Sequence, residues 1–200
     1  MIGFSLKPVQ QPPRAAAIER NLRFGVAMGL TATATQAQTA VFGALRGTFT
    51  LRGGWFQKTN RFGIKVKPAK RDDLVAEVRT NADWLVPHEK GMVKTGRTGG
   101  RIAVPTENAR RNKRDIITRT NRPSALRGKR TFVIKTTRGD VLFQRKYYGK
   151  RSYIVALYNI EPRVRIRRQS TFFEPIGKVV RRRLDDNIKR GMIRAIATMK

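Results

Sequence analysis

Nine basic residues, Arg110, Arg111, Lys113, Arg114, Arg119, Arg122, Arg127, Lys129 and Arg130, crowd into one short stretch in which Asp115 is the sole carboxylate. Guanidinium and ammonium groups strung along such a segment are what contact with phosphate requires; a solvated charged loop is the plainer alternative. A second run, Arg163, Arg165, Arg167 and Arg168, alternates with Val164 and Ile166, so that one strand face would carry a continuous basic stripe. Arg181, Arg182 and Arg183 fall on the polar face of an apparent helix, where charge is ordinary. No aromatic residue lies between 107 and 130, which argues against a platform for stacking single-stranded bases and for sequence-independent contact with a nucleic-acid backbone.

Catalytic combinations are thin. His88 is the one histidine, beside Glu89 and near Trp84, and no cysteine exists to complete a zinc site of three or four ligands. Asp72, Asp73 and Glu77 could hold a divalent cation, but Lys70, Arg71 and Arg79 surround them and favour salt bridging. Gly91 to Thr98 has the glycine spacing of a phosphate-binding Walker loop, with Arg97 where that motif needs lysine. The chain is therefore expected to be no enzyme and to use no metal or cofactor. Metal-dependent hydrolysis through Asp72, Asp73, Glu77 and His88 is the weakest of the readings.

The overall balance agrees with the basic clusters. Forty-four Lys and Arg against 13 Asp and Glu give the 200-residue chain a net charge of +31, and a pI of about 11.8. Self-repulsion of that size suits a protein that works beside a polyanion or inside an assembly supplying counter-charge. An apolar content of 40% is too high for a disordered basic tail. Met1 to Pro13 lacks the apolar run of a signal peptide, and no stretch of about 20 apolar residues follows. The expectation is a soluble protein made inside the cell, with no membrane partner.

Several elements must position these charges. Residues 1–14, with Pro8, Pro12 and Pro13, read as an irregular arm, and 15–200 as a single domain. Ile18, Leu22, Val26, Leu30, Ala34, Ala37, Val41 and Leu45 recur at helical spacing; Gly25 and Gly29 give that helix a narrow face suited to close contact with another helix or subunit. Phe62–Val66 and Leu74–Val78 predict a hairpin, Gly91–Gly100 and 107–130 loops, and Thr131–Thr136 with Val141–Arg145 a second hairpin. Ser152–Tyr158 reads as a further strand or buried helix. Phe172, Ile176, Val180, Leu184, Ile188, Met192 and Ile196 form the stripe of a C-terminal helix expected to cover the sheet. Ser170 or Thr171 would cap it, and Glu174–Lys178 and Arg182–Asp186 could pair along it. The predicted class is α+β: an antiparallel or mixed sheet packed by long N- and C-terminal helices, with a long basic loop.

The ordered series Phe62–Lys70, Leu74–Val78, Trp84–Gly91, Arg101–Pro105, Phe132–Ile134, Gly139–Arg145, Leu157–Tyr158 and Phe172–Ala197 resembles the minor tail protein Z family of tailed bacteriophages, the tail-completion or neck proteins. The likeness implies a non-enzymatic virion component at the head-proximal end of a long tail. It would form a homo-oligomeric, hexameric ring next to the tail terminator or tail tube and the head-completion or connector proteins, and line or border the channel of packaged double-stranded DNA. No catalytic residues carry over. Arg110 to Arg130 and Arg163, Arg165 and Arg167 would then face DNA backbone or an acidic neighbouring ring. The alternative is a nucleic-acid-binding structural protein of ribosomal or nucleoid type, which accounts for the charge equally well.

Overall fold

The computed structural model describes residues 13–96, 100–137 and 139–198. The expected arm lies outside these residues apart from 13 and 14, with which the first helix opens. The fold is α+β, with long N- and C-terminal helices, antiparallel sheets and a long basic loop. The described residues fall into two compact units, one drawn from 13–49, 56–83 and 170–198, the other from 50–55, 84–96, 100–137 and 139–169.

The first unit is built on α1 (Pro13–Thr48) and α4 (Phe173–Ala197), with the small hairpin β1 (Lys65–Lys67) and β2 (Glu77–Arg79) beside α1. Val66 pairs with Val78, so both strands are shorter than the sequence pattern suggested and lie at the C-terminal end of each expected run. Ile64, expected in the first strand, is instead a fully buried core residue beside Val41 and Leu45 in burial, and its carbonyl accepts the buried Gln38 amide at 2.6 Å. Each such aliphatic side chain contributes roughly 1.5–3 kcal/mol.

The α1–α4 seam differs from the expected apolar stripe. The deepest line on α4 is Asn187, Gly191 and Ala195, while Val180 and Ile196 remain exposed. Small residues win because α1 presents Gly25 and Gly29 opposite them, letting the backbones close. Away from that line Ile176, Val180 and Leu184 line, together with Val78 of β2, an apolar cleft of about 360 Å3. Thus α4 packs chiefly on a helix, where the sequence reading had it cover the sheet. Its N-cap position is Phe172, not Ser170 or Thr171, since Thr171 is buried and Ser170 takes a left-handed φ of 38°. Glu174 pairs with Lys178 at 2.7 Å.

The second unit holds α2 (Val86–Lys90), β3 (Met92–Thr95), β4 (Ile102–Pro105), α3 (Pro123–Leu126), β5 (Thr131–Thr136), β6 (Gly139–Tyr148), β7 (Arg151–Glu161) and β8 (Arg163–Ile166). Strands β4-β7-β6-β5 form an antiparallel sheet, and β3 pairs with β8. Residues 92–95 were expected to be loop. Their β-competent side chains become strand because Arg163–Ile166, some seventy positions away, supplies a ladder that local pattern cannot reveal. The Ser152–Tyr158 run resolves as strand, paired along β6 from Tyr148↔Arg151 to Asp140↔Ile160, with an irregularity between Leu142 and Phe143.

Candidate nucleic-acid interface

The basic segment is a folded loop, not a slack one. Ala109 and Leu126, 3% and 7% exposed, join Leu157 and Tyr158 in a core cluster against which Ile117 also packs. Between these anchors the chain makes a 3-10 turn over Arg119–Asn121, then α3 with Pro123 in its first turn. Tyr158 Oη donates to Asn121 O at 2.6 Å, and Thr131 Oγ1 to Leu126 O at 2.6 Å. The tip is held by Asn112, whose Oδ1 accepts the backbone N–H of Arg114 and of Ile116, both at 3.0 Å. Asp115 follows at φ 57°, a left-handed turn that Asp tolerates.

With the apolar side chains turned inward, the cations turn outward. Arg110, Lys113, Arg114, Arg119, Arg122, Arg127, Lys129 and Arg130 are all exposed. Arg111 is different: it is half-buried and pairs with Asp115 at 3.4 Å, a carboxylate that Arg52 also holds. Among the described residues none of Arg110, Lys113, Arg114, Arg119, Arg122, Arg127 and Lys129 forms a salt bridge. Burial raises the pKa of the Tyr158 phenol above its ordinary 10.0, while the positive charge of Arg111 pulls the other way.

The second run forms as a strand. Arg163 and Arg165 are exposed while Val164 and Ile166 are half-buried, and Arg167 lies just past the strand end. Arg165 and Arg167 line a cleft of about 700 Å3 with Lys90 and Val93. Arg110 and Lys129 line another, of about 360 Å3. The two predicted sets therefore serve separate clefts.

Sequence reasoning missed the residues that complete the second of these clefts. β5 pairs with β6 only as far as Gln144, and β4 with β7 only to Tyr158, so the β6–β7 hairpin runs on as a two-stranded ribbon. Every residue from Arg145 to Ile154 is exposed, and Lys146 reaches the cleft that holds Arg110 and Lys129. Aromatic rings thus meet the basic loop after all: the Arg130 guanidinium lies 4.9 Å from the Tyr147 ring centroid. The overlooked signal was Tyr147-Tyr148-Gly149-Lys150-Arg151, cations and rings around a turn glycine at φ 57°.

The catalytic alternatives gain little. Lys67 bridges Glu77 at 3.1 Å and Asp73 at 3.7 Å, and Arg71 holds Asp72 at 3.4 Å. The hydrogen bond that Lys67 donates to Glu77 and then the Glu77 charge, helped by Asp73, raise the pKa of Lys67. His88 sits in α2, its carbonyl accepting Gln169 N–H at 2.8 Å. Among the described residues no three His, Asp or Glu side chains are grouped to hold a metal. Arg97 and Thr98 of the Walker-like stretch lie outside the described residues.

Residues 12–147, more than half of the chain, match the family described as "Family of unknown function (DUF6441)". The chain belongs to the DUF6441 family. Its matched span takes in α1, the basic loop and nearly all of β6, whereas β7, β8 and α4 lie beyond it. No curated protein and no solved structure matches this DUF6441 chain. No helix among the described residues is long and apolar enough to cross a membrane.

Proposed function

We propose that this chain is a non-enzymatic structural protein of a phage neck or tail, completing the head-proximal end of the tail and bordering the DNA channel as a homo-oligomeric ring. The observation that carries the reading is the loop from Arg110 to Lys129, folded on its own core yet presenting exposed cations without carboxylate partners. Fixed, unpaired charge of one sign suits a polyanion that supplies the counter-charge, and backbone contact needs no base recognition. Six copies at +31 each would set on the order of two hundred positive charges around one channel. The ordered resemblance to tail-completion proteins supports the virion setting. Exposed Ile18, Phe24, Ile193 and Ile196 on the two long helices supply apolar surface for subunit contacts. Tail terminator, tail tube and head-connector proteins are the proposed neighbours.

The same charge would serve a ribosomal or nucleoid protein, and solution mass separates the two. Light scattering of the purified chain across a salt series, with and without duplex DNA, is expected to give a ring-sized multiple of 22.8 kDa and weak, salt-labile DNA binding. Reversing Arg110, Lys113 and Arg114 to Glu should leave the fold intact and flatten the salt dependence by about one unit of slope per lost phosphate contact. A monomer that holds nucleic acid tightly at physiological salt would move the protein to the nucleic-acid-binding class. Unchanged DNA affinity in the triple variant would remove the loop from the interface.

A further inference from the structure

The β6–β7 ribbon has two faces of different character. Antiparallel pairing sets Lys146 opposite Tyr153 and Tyr148 opposite Arg151, and alternation puts these four side chains on one face. Tyr147 lies on the other, where Arg130 covers its ring. The first face is open: Tyr148 is 82% exposed and Tyr153 50%. It runs from the tip through Lys146 into the cleft that Arg110 and Lys129 share. From Val141 to Ile160 the chain contains no Asp or Glu.

Lysine and arginine alone on such a ribbon would be explained as protection of an exposed edge against pairing with other strands. That explanation leaves the tyrosines without a reason, since a marginal two-stranded ribbon gains nothing by holding a large ring almost wholly in water. Rings interleaved with cations, in the absence of any acid, fit a ligand that is anionic and flat in alternation. We infer that this face binds single-stranded nucleic acid without regard to sequence. Tyr148 and Tyr153 stack two successive bases, Lys146 and Arg151 meet the phosphates between them, and the cleft with Arg110 and Lys129 takes the next phosphate. The rings are diagonal neighbours, about 7–8 Å apart at their backbones, which suits bases drawn apart along an extended strand better than the closed stack of a duplex. This goes beyond the ring reading, which concerns duplex backbone on the loop, and either can fail without the other.

The test titrates the full chain into a fluorescein-labelled oligothymidylate, a duplex of the same length and heparin, at matched salt. Tighter binding of the single strand than of the duplex is expected. Y148A/Y153A should weaken the single strand by about tenfold or more and leave duplex and heparin binding as they were, whereas Y148F/Y153F should bind like the parent. Because Tyr148 is a solvent-facing tip residue, Y148A alone supplies a variant whose fold is not at stake, and it should show part of the same loss. Equal binding of all three polyanions, unaffected by Y148A, would overturn the inference and leave a plain polyanion surface. Duplex and single strand weakened alike by Y148A/Y153A would also overturn it, pointing to insertion of the ribbon into a groove.

Discussion

Gly191 of α4 sits directly against Gly25 of α1: a Cβ built on Gly191 would collide with the Gly25 carbonyl oxygen, and one on Gly25 would come within 2.7 Å of Met192 Cα. Both obstacles are backbone, so neither can swing aside. Gly25→Ala or Gly191→Ala must push the helices apart and lift Asn187 and Ala195 from the seam. Each substitution is expected to cost about 1–3 kcal/mol, lowering the melting temperature by roughly 2–4 °C per kcal/mol. Gly43, in the same helix, is exposed and has nothing within 4 Å of an added Cβ. Gly43→Ala should therefore stabilise by about 0.5–1 kcal/mol, because only the helix-propensity effect operates there. Equal shifts at all three positions, read by thermal melts, would mean that the seam is not closely packed.

Asn187, 5% exposed, is the polar residue that α4 contributes to that seam's innermost line. Its Nδ2 donates to Thr33 Oγ1 at 3.0 Å and to Gln36 Oε1 at 3.1 Å, while the Thr33 hydroxyl donates onward to Gly29 O at 2.9 Å. Asn187→Ala should cost about 1–3 kcal/mol through a small void and a lost donor. Combining it with Thr33→Val should cost less than the sum of the singles by roughly 0.5–1.5 kcal/mol, since one interaction is removed twice. Strict additivity in denaturant titrations would exclude the network.

Tyr158 links loop stability to pH. Its phenol is buried, donates to Asn121 O, and has a pKa raised above the ordinary 10.0. A raised folded-state pKa favours the protonated form, so the contribution is fully present below about pH 10 and is lost as pH rises through the higher folded value. Tyr158→Phe should cost about 1 kcal/mol at neutral pH. The parent's advantage over that variant should shrink above about pH 10, measured by urea unfolding. Lys67 is also raised and loses its contribution in the same alkaline range, but it does so in both proteins and cancels in the comparison.

Periodicity served well where an element buries one face and leaves the other in water, however far away in sequence its partner lies. It located α1, α4, the β5–β6 hairpin and the alternation of Arg163 and Arg165 with Val164 and Ile166. It misjudged the inner line of α4, because apolar residues at spacing four suggested the core while the closest packing fell to Asn187, Gly191 and Ala195. Small residues carry no hydropathy signal; Gly25 and Gly29, noticed on α1, were the better guide. β3 was hidden because all four of its residues are exposed and show no alternation, unlike those of its distant partner β8. The ribbon was hidden for another reason: how far β6 and β7 outrun their neighbours depends on where β4 and β5 stop, which only the registers reveal.

Net charge and its presentation can be separated at Asn112. This side chain carries no charge, yet its Oδ1 closes the turn that displays Lys113 and Arg114 by accepting two backbone N–H groups. Asn112→Ala keeps the chain at +31 and removes the single acceptor of both hydrogen bonds. If the loop acts as a fixed array, amide exchange over residues 113–116 should quicken, global stability should fall by only about 0.5–1.5 kcal/mol, and duplex affinity should drop severalfold at unchanged charge. The loss arises because a loosened loop must be ordered again on binding, and that entropy opposes association. Faster exchange with unaltered DNA affinity would show that the cations act as a diffuse cloud, so that the folded loop from Arg110 to Arg130 contributes its charge and not its shape.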